Sequence, residues 1–225
     1  MNNPNTRAWF GLAGLLVALG LLLFVPARSI HYWQAWVYLT LFVLSAGAIT
    51  RYLMKRDPAL LARRMRGGPF AEKEPSQRLI MLVVSLAYVA MFLVSALDHR
   101  FRWSQVPLVA TVAGDVLLVA GFFIEFLVFR ENTFASATIE VGKGQTVIST
   151  GPYALVRHPM YSGGLLMLHG TPAALGSWWG YVPFIAMVPA LIWRLLDEER
   201  LLAEELPGYV EYCAAVRWRL IPGLL

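Results

Sequence analysis

The 225-residue chain is 58% hydrophobic and 15% charged, with a mean hydropathy of +0.57. Soluble domains run nearer about 45–50% apolar and about 25% charged, so this excess goes beyond one buried core and makes lipid the solvent; an ordinary soluble enzyme is excluded. The single cysteine excludes an internal disulfide, and Cys213 with His31, His99, His158 and His169 shows no zinc-ligand spacing, so no metal is expected.

A spanning helix needs about 20 mostly apolar residues, and six stretches come near that length: Ala8–Val25, Trp33–Thr50, Leu79–Leu97, Val106–Phe129, a short one at Pro159–Leu175, and Trp178–Leu196. The first reads as an uncleaved anchor rather than a signal peptide, because its apolar run outlasts the roughly 7–15 residues of a signal core. Only Gly176 and Ser177 separate the last two, which predicts a tight helical hairpin whose first arm does not fully span. Beyond it, Leu201–Leu206 is amphipathic and is stopped by Pro207-Gly208, which predicts a helix lying on the membrane surface. The expected fold is therefore an all-α polytopic transmembrane bundle of five to six spans with a cytoplasmic amphipathic C-terminal helix. Residues 1–130 supply the first spans, and residues 131–225 the polar segments, within one integrated membrane domain.

Basic residues favour cytoplasmic loops, and here they segregate sharply. With the N-terminus inside, Arg7, then Arg51, Lys55, Arg56, Arg63, Arg64, Arg66, Lys73 and Arg78, then Arg130, Lys143 and Arg157, and finally Arg194, Arg200, Arg217 and Arg219 are cytoplasmic. Only Arg28, Arg100 and Arg102 fall outside. The formal charge of +5 thus reads as membrane topology rather than nucleic-acid binding, with both termini cytoplasmic.

Two segments on that side carry more polar information than topology needs. The first holds Glu131-Asn132-Thr133-Phe134, a Gly142-Lys143-Gly144 turn, a β-like run Thr146–Ser149, and then Gly151-Pro152-Tyr153 through Val156-Arg157-His158-Pro159-Met160-Tyr161. Proline favours the first helical position and extends its predecessor, so His158 fits an N-cap and Pro159 a first turn. Free backbone N–H groups beside Arg157 would attract an anion, although a plain capped helix with an interfacial tyrosine reads equally well. The second segment is Arg194 to Arg200. At about 100° per residue Glu198 stacks over Arg194, whereas Glu199 turns about 140° away. The hairpin returns this turn to the same face as His158. Within the fourth predicted span, Asp115 and Glu125 are costly in hydrocarbon, and Glu125, near the cytoplasmic end, is the better functional candidate unless Arg130 simply neutralises it.

From about Asn132 to Pro222 the chain resembles the isoprenylcysteine carboxyl methyltransferases and the related phospholipid methyltransferases. The carriers are Gly151-Pro152-Tyr153, Val156-Arg157-His158-Pro159-Met160-Tyr161 with Gly163-Gly164, Arg194 with Glu198-Glu199, and Leu202, Gly208, Tyr209, Tyr212, Val216 and Pro222. The resemblance implies an integral-membrane enzyme using S-adenosyl-L-methionine. It assigns cofactor binding to Tyr153, Arg157, His158, Tyr161, Gly164 and Glu199. The first 130 residues match only as hydrophobic spans. Consistently, the chain has no Gly-x-Gly-x-x-Gly and no P-loop, so a membrane cofactor site must be built from helix ends and loops.

Methyl transfer from a sulfonium acts on an activated carbon and needs chiefly alignment and electrostatics. A carboxylate acceptor needs only a cation, a task suited to the Arg194 fork; an amine acceptor must lose a proton, with Glu198 or Glu199 as base. Catalytic candidates are thus Arg194, Glu198 and Glu199, and substrate-side candidates Glu125 and Asn132. Tyr209, Tyr212 and Trp218 either close the cofactor pocket or anchor the tail at the headgroups. The expected activity is methylation of a lipid-like or prenylated acceptor drawn from the bilayer, with membrane lipids as partners and neither nucleic acid nor metal. An NADPH-dependent membrane reductase resembling the sterol reductases and a non-catalytic scaffold are the alternatives.

Overall fold

The computed structural model describes residues 4–65, 67, 71–72, 74–142 and 144–224, with the side chain of Pro4 left aside. The basic positions Arg66, Lys73 and Lys143 lie outside the described residues. Among the described residues the regular elements are helices, with no strand: α1 (Pro4–Ala27), α2 (Trp33–Arg56), α3 (Pro58–Arg64), α4 (Pro75–Phe101), α5 (Leu108–Glu131), α6 (Pro159–Ala174), α7 (Tyr181–Glu205) and α8 (Tyr209–Ala215). The predicted β-like run Thr146–Ser149 is irregular chain instead.

Among the described residues four helices have the length and hydropathy to cross a bilayer: Asn5–Ala27, Trp33–Arg56, Pro75–Phe101 and Leu108–Glu131. The other two predicted spans do form helices, but with 16 residues α6 is only about 24 Å long, and α7 runs its last turns through Asp197, Glu198, Glu199 and Arg200. Phe10, Leu21, Leu44, Leu86, Val109 and Phe123 are exposed along the four long helices, as lipid contact requires.

The helices pass alternately up and down, with α5 on α6, α4 on α7, α1 against both α2 and α4, and α2 on α5. The seam between α5 and α6 is antiparallel and made of glycine: Gly121 faces Gly163, and Gly114 faces Gly170. A Cβ on Gly114 would lie 2.4 Å from the Ala174 nitrogen, and one on Gly121 2.6 Å from the Gly163 carbonyl oxygen. Glycine lets these backbones touch where little hydrophobic effect drives helices together. Because of this seam α6, though short, sits deep in the bundle.

One end of the bundle is locked by polar contacts. Asp98 accepts hydrogen bonds from the Ser104 backbone (2.7 Å), the Ser104 hydroxyl (2.6 Å) and the Ser177 hydroxyl (2.6 Å), while the Tyr32 hydroxyl donates to the Leu175 carbonyl at 2.6 Å. The turn between α6 and α7 is longer than predicted, for α7 starts at Tyr181 rather than Trp178, and Gly176 turns with φ +70° against Gln34. At the other end lie α3, the 132–158 segment, α8 and the C-terminal residues. The amphipathic stretch 201–206 is no separate surface helix there. It continues α7, and Leu202 and Leu206 bury against Tyr209 and Tyr212. The division suggested at residue 130 falls inside the last turn of α5.

Candidate functional site

His158 caps α6 and Pro159 opens it, as the sequence predicts, but the His158 side chain makes no cap hydrogen bond. Its Nε2 lies 3.3 Å from Glu199 Oε1 instead, and the residue is 5% exposed. The two backbone donors just before this helix start are occupied. The Arg157 N–H donates to the Trp218 carbonyl and the His158 N–H to the Arg219 carbonyl, each at 2.9 Å, and the Ser162 hydroxyl donates to the Leu220 carbonyl at 2.6 Å. The C-terminal residues therefore form a strap across the start of α6.

Arg157 belongs to the same lock. Its Nε donates to the Val216 carbonyl (2.7 Å), its Nη2 to the Arg217 carbonyl (3.0 Å) and its Nη1 to Glu199 (3.0 Å). Glu199 also accepts from Arg219 Nε at 2.8 Å. Burial would raise the Glu199 pKa, but the hydrogen bonds and charges of His158 and Arg219 hold it down to about 2. Glu199 is thus the knot that ties α7, the start of α6 and the strap. It does not line the adjoining cavity.

Glu198 faces that cavity, which encloses about 800 Å³ including its open mouth. Asn132, Tyr153, His158, Tyr161, Tyr209 and Tyr212 contribute polar walls, and Phe134, Met160, Leu202 and Leu206 apolar ones. The Tyr161 hydroxyl donates to Glu198 at 2.7 Å, Asn132 Nδ2 to the Tyr153 hydroxyl at 2.8 Å, and the Tyr212 hydroxyl to the Tyr153 carbonyl at 2.7 Å. Burial, with the nearby Cys213, pushes the Tyr212 hydroxyl up to about 12, so it stays a donor. Tyr209 and Tyr212 are therefore part of the cavity wall rather than headgroup anchors. Among the described residues the buried Tyr209 hydroxyl lacks a good hydrogen-bond partner, with the weakly accepting Cys213 thiol beside it and Glu198 and Glu199 as electrostatic neighbours.

A second cavity, of about 740 Å³ with its opening, lies between α4, α6 and α7. Met81, Val84, Leu165, Leu168 and Leu191 make it apolar, and Gly164 lines this cavity rather than the first. Ser136, Thr138, Ile139, Met160, Tyr161 and Glu198 border both.

Arg194 and Glu198 share a face of α7 and both line the second cavity, as their spacing predicts, but among the described residues they form no ion pair. Arg194, 7% exposed, donates through Nη2 to Glu72 Oε1 at 2.6 Å and to the Ala137 carbonyl at 3.3 Å, and through Nη1 to Gln77 at 3.0 Å. Its fork is spent inside the protein. A buried guanidinium needs such a partner, and Glu72 reaches it from the connection between α3 and α4, a pairing across 122 residues that no local spacing announces. Glu125, 7% exposed, has Arg64 rather than Arg130 as its electrostatic neighbour, and Arg130 is exposed. Asp115 leaves Oδ1 buried without a hydrogen bond.

Residues 109–206 match the phospholipid methyltransferase family. The match covers 98 of the 225 residues. It takes in α5, the cavity loop, α6 and α7, but ends before the strap, and Arg64 and Glu72 precede it. The chain is also 29% identical over 126 residues to the cobalt-zinc-cadmium resistance protein CzcN of Cupriavidus metallidurans, an alignment covering 55% of this chain and 56% of that protein. The chain thus spans about half the length of that curated relative.

Proposed function

We propose that the protein is an S-adenosylmethionine-dependent methyltransferase whose acceptor is a lipid-like molecule entering from the bilayer. The observation that carries this reading is the junction of a polar cavity with an apolar one at Met160, Tyr161 and Glu198, within a stretch that matches a methyltransferase family. The donor set of the first cavity fits the cofactor: tyrosine and phenylalanine faces suit a nucleoside, and the unsatisfied Tyr209 hydroxyl awaits a partner. Tyr153, His158, Tyr161 and Tyr209 would hold it, and Arg157 and Glu199 would position them through the strap. When bound, the cofactor supplies an electrophilic methyl group on sulfur.

The residues at the junction then have two tasks. Tyr161 and Glu198 orient the acceptor head at the mouth between the cavities and, for an amine acceptor, Glu198 takes its proton. Glu198 suits that role better than Glu199, which is held by three cationic or potentially cationic groups. Arg194, paired with Glu72, positions the wall instead of clamping a carboxylate. The apolar walls of the second cavity hold the acceptor's chain. On the basic-residue asymmetry we place both termini and the site on the cytoplasmic side.

The test is thermal: purified protein should melt higher with S-adenosylhomocysteine and be unaffected by NADPH. At 100 times its dissociation constant a ligand adds about 2.7 kcal/mol of stability. Stabilisation by NADPH alone would transfer the site to a reductase, and stabilisation by neither would leave a scaffold.

A further inference from the structure

The apolar cavity contains one cation whose role the methyltransferase reading leaves open. Arg64, the last residue of α3, lines it beside Met160, Tyr161 and Glu198. Its Nη1 donates to the Ser136 carbonyl at 3.0 Å and contacts Met160 Sδ at 3.3 Å, and its guanidinium lies 4.9 Å from the Phe129 ring centroid. Among the described residues Nε and Nη2 make no hydrogen bond and Arg64 is in no ion pair.

Arg194, the other arginine of this cavity, has its charge met by Glu72. Arg64 is treated differently. Glu125 attracts it electrostatically without bonding to it, and Glu125 itself is buried without a hydrogen bond among the described residues. A guanidinium held by a carbonyl and an aromatic face in the wall of an apolar cavity, with two of its nitrogens unbonded among the described residues, is organised to receive a two-oxygen anion. Glu125 offsets the cost of keeping that charge there and leaves the donors unused.

We infer that Arg64 binds an oxyanion, phosphate or carboxylate, on the head of the amphiphile that occupies the apolar cavity. The assignment rests on the methyltransferase reading only in taking that amphiphile to be the methyl acceptor. Glu125 is then a positioning residue, which gives a buried acid of α5 a task.

Full-length protein in dodecyl maltoside is melted with dodecyl phosphate, laurate or dodecanol and, in parallel, with S-adenosylhomocysteine. At least one anion should raise the melting temperature while dodecanol does not. A response to dodecyl phosphate alone identifies a phosphate head, and one to laurate alone a carboxylate. Arg64→Gln should abolish the anion response and keep the S-adenosylhomocysteine response, and Arg64→Lys, which keeps the charge but loses the fork, should weaken anion affinity at least tenfold. Equal behaviour of anions and dodecanol in the wild type overturns the assignment, as does an anion response that survives Arg64→Gln. Should Arg64→Gln not fold, an anion affinity in Arg64→Lys within twofold of wild type overturns it. An anion response without any S-adenosylhomocysteine response defeats the methyltransferase reading and leaves Arg64 as an anion site, whereas the reverse defeats Arg64 alone.

Discussion

Glu199 and Glu198 are adjacent acids with opposite surroundings. The Glu199 carboxylate touches Arg157, His158 and Arg219, and Glu198 receives the Tyr161 hydroxyl. Because the folded pKa of Glu199 is depressed from 4.5 to about 2, its contribution to stability is complete above the unfolded pKa and is lost as pH falls toward 2. Glu199→Gln should therefore lower the melting temperature at pH 7, and the gap to wild type should close between about pH 5 and pH 2. A gap that stays constant over that range, read by scanning calorimetry, would mean that Glu199 carries no such load. Glu198→Gln should leave stability and S-adenosylhomocysteine affinity nearly unchanged and reduce turnover on an amine acceptor. For the Arg194–Glu72 pair, removing one partner strands a buried charge and should cost about 3–5 kcal/mol, as in Glu72→Gln. Combining Glu72→Gln with Arg194→Met should recover much of that loss. If the double variant melts at the sum of the single losses, the pair is not coupled.

Between elements, the α5–α6 seam sets how deep α6 sits and hence the depth of His158 and Tyr161 at its start. Gly121→Val would force a branched side chain into the Gly163 carbonyl and the Met167 backbone, where overpacking costs about 1–3 kcal/mol or more. Gly164→Ala, on the open side of the same helix with nothing within 4 Å, should melt at or above wild type. The reverse order of melting temperatures would refute the seam. The strap is the other inter-element device, because its carbonyls satisfy the Arg157 and His158 backbone donors. Truncation after Ala215 should abolish stabilisation by S-adenosylhomocysteine while the four long helices still insert. A truncated protein with wild-type cofactor affinity would make the strap dispensable.

For the whole molecule, the functional groups gather at one end of the bundle, and the Asp98 cluster closes the other. In the proposed topology the first end faces the cytoplasm, as the basic-residue asymmetry predicts. In a Cys213→Ser background, Arg56→Cys and Glu204→Cys should react with an impermeant maleimide only in inside-out vesicles, and Arg102→Cys only in right-side-out ones. Labelling with the opposite pattern would invert the topology. The same end of the molecule brings residues from α3, α4, α6, α7 and the strap within contact of one another, which is why the cavity walls cross the limits of the matched family domain.

Hydrophobic run lengths alone determined the four long helices, because a bilayer demands about 20 apolar residues whatever their neighbours. Proline after histidine likewise determined where α6 starts, and the 100° turn per residue determined that Glu198 and Glu199 part company. These are local rules, satisfied by the chain near its own position. What each charge pairs with was decided by the tertiary structure: Glu72 reaches Arg194 across 122 residues, Arg219 joins Arg157 and His158 on Glu199, and strap carbonyls accept from the Arg157 and His158 backbone N–H groups. The amphipathic pattern of 201–206 was legible, but its partner, the tyrosines of α8, was not, and membrane and protein both accept an apolar stripe. Arg64 was one of eight basic residues in a loop until folding laid it on Phe129 in the wall of the cavity. Burying a charge in a low-dielectric interior requires compensation from whichever groups the fold brings near, and that identity is a property of three-dimensional packing.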